Sequence, residues 1–261
     1  MRASWPAEEG AVPERQAPAS AGLGEPFVAY VAAVAVAAAA FWVGRSVGFV
    51  QEIVHGLIAC VFLFGPGAAA RLSGRAFDRD AAGIRVHPVG PGLRTLGLAL
   101  LVTWPVFVLG FFIYYGVLCA GSGALGGLAR TLTPICQQWT GLGGAHFRLP
   151  EGFLVLALSQ ILVVAVPEEV FFRGYLLSRF EERWPSQHEL WGTRVGRPLL
   201  LSSLLFAFGH FLVDLQPSRL AVFFPALAFG WMRSRSGSIA AGAVFHALCN
   251  LLSEVLHRSF F

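Results

Sequence analysis

The sequence predicts an all-α fold, a polytopic bundle of transmembrane helices with seven to eight spans. Hydrophobic residues make up 56% of the 261 residues, and the mean hydropathy is +0.64. Only 13% of the residues are charged, about half of the roughly 25% that is typical of soluble domains. The apolar residues form runs that approach the ~20 residues a helix needs to cross a bilayer. The segments between these runs are too short for a separate soluble domain.

Seven apolar runs follow a polar N-terminal segment along the chain. Residues 1–26 are rich in Ala, Pro, Glu and Gly without apolar periodicity, which predicts a disordered tail. The first run has a long acidic leader and no clear small-residue cleavage site, so we interpret it as a retained span rather than a signal peptide. The predicted spans cover residues 27–44, 48–66, 95–120, 152–179, 198–213, 219–232 and 237–257.

Proline and glycine complete the predicted architecture. Pro167 lacks the N–H of an interior helical turn, so the fourth span should be kinked or divided in two, and division would give eight spans. Residues 121–150 are rich in glycine and predict a long non-cytoplasmic loop. Beyond the tail, we therefore separate N-terminal transmembrane helices with their loop, residues 27–150, from a C-terminal transmembrane core, residues 151–261.

The basic residues favour a cytoplasmic N-terminus. All 19 of them are arginines, and cytoplasmic loops of membrane proteins carry an excess of positive charge. With seven alternating spans from an inside N-terminus, thirteen arginines lie inside, five lie outside and Arg173 lies within a span. The inside set is Arg2, Arg15, Arg71, Arg75, Arg79, Arg85, Arg94, Arg179, Arg183, Arg194, Arg197, Arg233 and Arg235; the outside set is Arg45, Arg130, Arg148, Arg219 and Arg258. This distribution accounts for the pI of 9.2, and we expect no nucleic-acid partner.

The four cysteines, Cys60, Cys119, Cys136 and Cys249, show no paired spacing. Three of them lie in or beside apolar runs. A disulfide framework or a CxxC zinc motif is therefore not expected. We predict neither a metal nor another cofactor.

Ionisable residues interrupt the apolar fourth span. Glu168, Glu169 and Arg173 lie deep within it, where a charged side chain costs several kcal/mol and indicates function by default. Glu169 and Arg173 are spaced i, i+4 and can pair on one face of the helix. Glu168 then points about 100° away from that face. A plainer interpretation is that the Glu169–Arg173 pair only joins helices in the bundle.

Polar residues in two later spans reach a similar depth. His210 lies in the fifth span, and His246 and Asn250 lie i, i+4 in the seventh. At 1.5 Å per residue from the cytoplasmic span ends, Glu168 lies roughly 17 Å deep, His210 roughly 18 Å and His246 roughly 14 Å. A single buried histidine is more often a hydrogen-bonded core residue. The combination on three helices predicts one site instead.

The motifs resemble a known family. Glu-Glu-x-x-x-Arg at 168–173, Phe-x-x-x-His at 206–210 and His-x-x-x-Asn at 246–250 are similar to the CPBP intramembrane proteases, which include CAAX-processing Rce1-type enzymes and bacterial Abi-type proteins. The stretch from Phe229 to Ile239 also looks like this family. The resemblance covers roughly residues 150–255, so it makes the core a catalytic CPBP-like unit. The first 150 residues match nothing comparable.

The resemblance implies a glutamic peptidase. Glu168 would be the general base that activates water, and His210 would hold the same water. His246 and Asn250 would donate hydrogen bonds to the oxyanion. Glu169 and Arg173 would orient the site. The expected substrate is a membrane-anchored protein or peptide in the lipid bilayer, cut near a C-terminal anchor or a lipidated cysteine, and the expected location is a bacterial inner membrane.

Other functions remain open on the sequence. Two histidines and Glu168 could bind zinc as in a metalloprotease, and Cys249 could pair with His246 as a nucleophile. A non-catalytic immunity or scaffold protein of the same fold is a further alternative, as is a proton-coupled transporter. Gln51, Glu52 and His55 form a polar patch near the outer end of the second span, which is either interfacial or substrate-binding.

Overall fold

Seven helices form the part of the chain that the structure describes, a computed structural model covering residues 22–120, 136, 138–141, 143 and 146–261. They are α1 (Gly24–Gly44), α2 (Gly48–Leu72), α3 (Val89–Ala120), α4 (Phe153–Arg183), α5 (Arg197–Asp214), α6 (Phe223–Ser236) and α7 (Ala240–Phe260). A 3₁₀ turn, Pro217–Val222, precedes α6. Most of the predicted tail and of the predicted loop at 121–150 lies outside the described residues. The last residues of the predicted tail are helical, because α1 begins at Gly24.

Five of these helices, α1 to α5, are long and apolar enough to cross a membrane. The predicted all-α polytopic bundle is thereby confirmed. Helix α6 has 14 residues and is about 21 Å long, shorter than the ~30 Å hydrocarbon core. The sixth predicted span thus begins four residues too early in the sequence, because its first residues form the 3₁₀ turn.

Helix α4 runs unbroken through Pro167, so of the two alternatives that the sequence left for the fourth span, a kink or a division in two, the structure excludes the division. The helix changes its winding instead. Wide π-helical turns at Gln160–Ala165 and Val170–Leu176 flank the short α-helical segment Val166–Glu169. The π turn before Pro167 accommodates the missing N–H by re-routing backbone hydrogen bonds within the helix.

A short β-hairpin follows α4 and was missed from the sequence. Strand β1 (His188–Leu190) pairs antiparallel with β2 (Thr193–Val195). Trp191 and Gly192 form its two-residue turn, and both have positive φ, 47° and 79°, as a type I′ turn requires. The strands are three residues each, too short for alternation of polar and apolar residues to reveal them.

The centre of the bundle is the middle of α4. Phe171, Phe172, Tyr175, Leu176 and Phe180 are all buried there, and α1, α2, α5, α6 and α7 pack around this helix. Glu169 and Arg173 share this interior and are fully buried. The most buried layer of the protein therefore carries both its largest apolar side chains and a pair of charges.

A disulfide joins Cys119 at the end of α3 to Cys136, which corrects the expectation drawn from the cysteine spacing. The two cysteines are 17 residues apart in sequence and fit no short motif. The pairing is a tertiary contact, which local sequence does not encode. Cys60 and Cys249 are free.

Candidate active site

Glu168 faces the imidazoles of two other helices. Its Oε2 lies 3.8 Å from His210 Nε2 on α5 and 3.7 Å from His246 Nε2 on α7. Among the described residues, no donor lies within hydrogen-bonding distance of this buried oxygen. Separations near 3.7 Å are too long for direct hydrogen bonds but suit groups that share a small molecule such as water.

Glu169 lies between Arg173 and His246. Its Oε1 is 3.1 Å from Arg173 Nη1 and 3.2 Å from His246 Nδ1. The Arg173 and Glu169 side chains are both 0% exposed. The i, i+4 pair predicted from the sequence is therefore formed, and it also holds the ring of His246. Arg173, Glu169, His246, Glu168 and His210 thus make one continuous chain of polar groups across three helices.

The hydrogen bonds of the two histidines define which ring nitrogen faces Glu168. His210 Nδ1 lies 2.9 Å from the carbonyl oxygen of Phe206, which can only accept, so Nδ1 carries a hydrogen. Glu169 Oε1 pairs with the Arg173 guanidinium, and a carboxylate in such a pair accepts hydrogen bonds, so His246 Nδ1 also donates. Both rings therefore direct Nε2 towards Glu168, and in a neutral imidazole this nitrogen is an acceptor.

Aromatic rings fix the orientation of the polar groups. The Phe229 ring stacks on His246 with centroids 4.6 Å apart, and the Phe206 ring lies 4.4 Å from His210. Arg173 lies over Phe206 with its Cζ 4.3 Å from the ring centroid, and its Nη2 donates to Ala226 O at 3.1 Å. Such cation–π contacts stabilise a desolvated guanidinium. Arg173, His210 and His246 therefore each have both an aromatic and a polar neighbour, which together define the orientation of these three side chains.

Asn250 lies one turn further along α7, where its Nδ2 donates to Gln160 Oε1 at 2.8 Å. Gln160 opens the first π turn of α4 and was missed by the sequence analysis. An uncharged polar residue eight positions before Glu168 carries no motif, although a glutamine within an apolar span is itself unusual. Asn250 thus joins α7 to α4 beside the imidazole pair.

A cavity of about 190 Å³ gives access to Glu168 and His210. Its walls are apolar side chains of α1, α2, α4 and α5, and its other polar residues are His55, Asp214 and Arg219. A larger apolar cavity, about 370 Å³, lies between α3, the β-hairpin, α5 and α6. None of the polar residues of the site lines that larger cavity, so the smaller one is the candidate substrate cavity.

The other polar residues considered in the sequence analysis lie outside this chain of polar groups. Cys249 is half-buried and packs against the apolar core, as does Trp104. Gln51 and Glu52 are exposed on α2, and only His55 of that patch lines the cavity. Among the described residues, no group of three or more His, Cys, Asp or Glu side chains has the arrangement of a metal site.

Comparison with known protein families finds a match for one part of the chain. The family model of the type II CAAX prenyl endopeptidase Rce1-like proteins matches residues 150–252, which include the chain of polar groups described above. Neither the curated proteins nor the solved structures contain a match. The resemblance predicted from the three motifs is confirmed over this region. Residues 150–252 of this multi-pass membrane protein are thus similar to the Rce1-like family of type II CAAX prenyl endopeptidases.

Proposed function

We propose that the chain is an intramembrane endopeptidase that cuts a membrane-anchored protein with water activated by Glu168. The observation that carries this proposal is the convergence of His210 and His246 on Oε2 of Glu168, at 3.8 and 3.7 Å, beside a cavity. The family match supports peptidase chemistry in general, and the glutamic mechanism is our inference from these distances. A bacterial inner membrane is the proposed location.

The arrangement supports a definite distribution of hydrogens. Three acceptors cannot share one water, because water donates only two hydrogens. We assign these to Glu168 Oε2 and His210 Nε2, with His246 as an imidazolium whose Nδ1–H is held by Glu169. Its Nε2–H then donates to the oxyanion. In serine hydrolases, a buried carboxylate likewise orients the catalytic histidine and stabilises its imidazolium.

Hydrolysis then follows in two steps. Glu168 takes a proton from water as the oxygen forms a bond to the carbonyl carbon, and the C=O electron pair moves onto oxygen. The oxyanion accepts from His246 and from the Asn250 N–H that is not bonded to Gln160. When the tetrahedral carbon releases the nitrogen, protonated Glu168 returns its proton to that amine, which leaves an acid and an amine as products.

A glutamine substitution at Glu168 tests the proposal. Glu168→Gln preserves size but cannot accept a proton, so cleavage should fall by at least ~10²-fold, the lower range for a general base. The measurement is the set of intact and processed C-termini in the membrane proteome. Glu169→Gln, which retains an acceptor for His246, should lose less activity, and Glu52→Gln on the exposed part of α2 should lose none. Unchanged processing with folded Glu168→Gln protein present would favour the non-catalytic alternative.

Chelation separates this mechanism from the zinc alternative. Because the proposed water is activated by a carboxylate, dialysis of the purified protein against EDTA should leave its cleavage rate unchanged. Loss of activity on chelation that zinc restores would instead assign His210, His246 and Glu168 as metal ligands.

A further inference from the structure

The cavity at Glu168 extends to one end of the bundle. It runs along α5 past His210 to Asp214, the last residue of that helix, and to Arg219 in the following 3₁₀ turn. Phe41, near the end of α1, and His55, near the start of α2, also line it. All these positions lie at the end where α1 passes into α2. We call Asp214, Arg219 and His55 the mouth of the cavity.

The opposite end of the bundle carries most of the basic residues. Arg179 pairs with Glu25 at the start of α1 at 2.7 Å, Arg75 pairs with Glu182 at 3.1 Å and Arg233 pairs with Glu181 at 2.8 Å. These pairs join four parts of the chain to one another: helix α1, the segment that follows α2, helix α4 and helix α6. An excess of arginine marks the cytoplasmic side of a membrane protein, so this end faces the cytoplasm and the mouth faces away from it.

The disulfide identifies the same side independently. Helix α3 leaves the arginine-rich end at Val89 and reaches the Cys119–Cys136 bond at the other end. Thr140 N and His146 N donate to the carbonyls of Phe260 and Ser259 at the end of α7, which runs in the same direction as α3. Disulfides form and persist in oxidising compartments outside the cytoplasm. The disulfide end and the mouth are therefore both non-cytoplasmic.

We propose that the active-site cavity opens to the non-cytoplasmic face and receives its substrate there. The substrate is an extended, mostly apolar segment beside the membrane anchor of a protein whose larger part lies outside the cytoplasm. The cavity walls are apolar apart from Glu168, His210 and the mouth, which suits such a segment. The mouth provides both a donor and an acceptor for the backbone of the segment. This inference rests on the proposed peptidase function and adds the side of the membrane.

The ion pair at the mouth provides a site for the test. Arg219 Nε donates to Asp214 Oδ2 at 2.7 Å, and the Arg219 side chain is 51% exposed. Arg258 on α7 is a matched control, because its Nε donates to Glu254 at 2.6 Å, it is also 51% exposed, and it does not line the cavity. Arg79, exposed in the segment after α2, represents the arginine-rich end.

Cysteine labelling tests the side directly. The parent protein is the full-length chain carrying Cys60→Ala, and its labelling is the baseline. Four single variants are made in this parent: Arg219→Cys, Asp214→Cys, Arg258→Cys and Arg79→Cys. Intact cells or sealed spheroplasts are treated with a membrane-impermeant maleimide. We expect labelling at positions 214, 219 and 258 without permeabilisation, and at 79 only after it. Labelling of the two mouth positions only after permeabilisation would overturn the proposal.

Processing by the labelled proteins tests access to the cavity. The quantity measured is the amount of those processed C-termini that are absent from cells expressing the Glu168→Gln variant. A bulky maleimide at position 219 should reduce their formation at least tenfold, whereas the same label at 258 should leave it unchanged. Equal processing by both labelled proteins would overturn access through the mouth. If Glu168→Gln removes no C-terminus, the peptidase proposal fails, while the labelling result still reports the side on its own.

Discussion

Two adjacent glutamates with the same chemistry have different surroundings in this protein. Glu169 is completely buried between Arg173 and His246, whereas Glu168 is 13% exposed and lies at the cavity. Successive residues on a helix point about 100° apart, so only one of them can face the inward ion pair. A carboxylate with a permanent cationic partner is suited to hold a histidine, and one without such a partner is suited to take a proton.

The buried ion pair predicts an asymmetric effect on stability. Arg173→Met removes the guanidinium from the buried Glu169 carboxylate and leaves only His246 beside it, so the free energy of unfolding should fall by about 3–5 kcal/mol. The double variant Glu169→Gln with Arg173→Met removes both charges and should be more stable than Arg173→Met alone. Thermal unfolding of the detergent-solubilised proteins measures both. Equal or lower stability of the double variant would contradict this assignment of the pair.

At the scale of the helices, close approach of α7 to α4 and α6 places His246 against Glu169. A Cβ built at Gly242 would lie 3.3 Å from the Phe229 carbonyl oxygen and 3.4 Å from Glu169 Oε2. Glycine thus lets the backbone of α7 pass close to the buried carboxylate. The π turns of α4 act together with this contact, because they set the direction of Glu168 and Glu169 relative to the rest of that helix.

A larger residue at Gly242 should disturb the site through the backbone. Gly242→Val adds atoms against Phe229 and Glu169, and we expect about 1–3 kcal/mol of destabilisation, as in overpacked cores, with reduced cleavage. Gly110→Val in α3 is the control, since a Cβ there meets nothing within 4 Å. Unfolding temperature and processing of both variants provide the test. Equal behaviour of the two would show that α7 has room at Gly242.

At the scale of the whole molecule, the two ends of the bundle are stabilised by different interactions, ion pairs at one end and a disulfide at the other. One end is held by arginine–glutamate pairs around Glu25 and Glu182. The other end is held by the Cys119–Cys136 bond and by an aromatic cluster in which Trp139 contacts Phe111, Tyr115 and Phe260. Aromatic side chains are favoured where a membrane protein meets the interface.

The disulfide predicts a measurable contribution to stability. It closes a loop of about the length for which the chain-entropy model gives about 3 kcal/mol, so Cys119→Ala with Cys136→Ala should lower the free energy of unfolding by about that amount. Reduction of the unsubstituted protein should have a similar effect. Cys60→Ala, at an exposed position on α2, is the control. Alkylation of Cys119 and Cys136 before any reduction would contradict the bond itself.

The sequence alone determined the membrane character and the ends of five of the seven helices to within four residues. It also identified the polar residues that are costly to place in the hydrocarbon core of a membrane. These are local properties, because the cost of placing a side chain in the bilayer depends on that side chain and its neighbours along the helix. The Glu169–Arg173 pair was predictable for the same reason, since one helical turn brings its members together. The motif order also sufficed to identify the Rce1-like region.

Only the tertiary structure decided which distant groups meet. His246 and Glu169 are 77 residues apart and Asn250 and Gln160 are 90 apart, so their contacts depend on how three helices pack. The unbroken α4, the Cys119–Cys136 bond and the cavity from Glu168 to Arg219 arise in the same way. Helix periodicity shows which face a residue occupies, but packing of the whole bundle selects its partner.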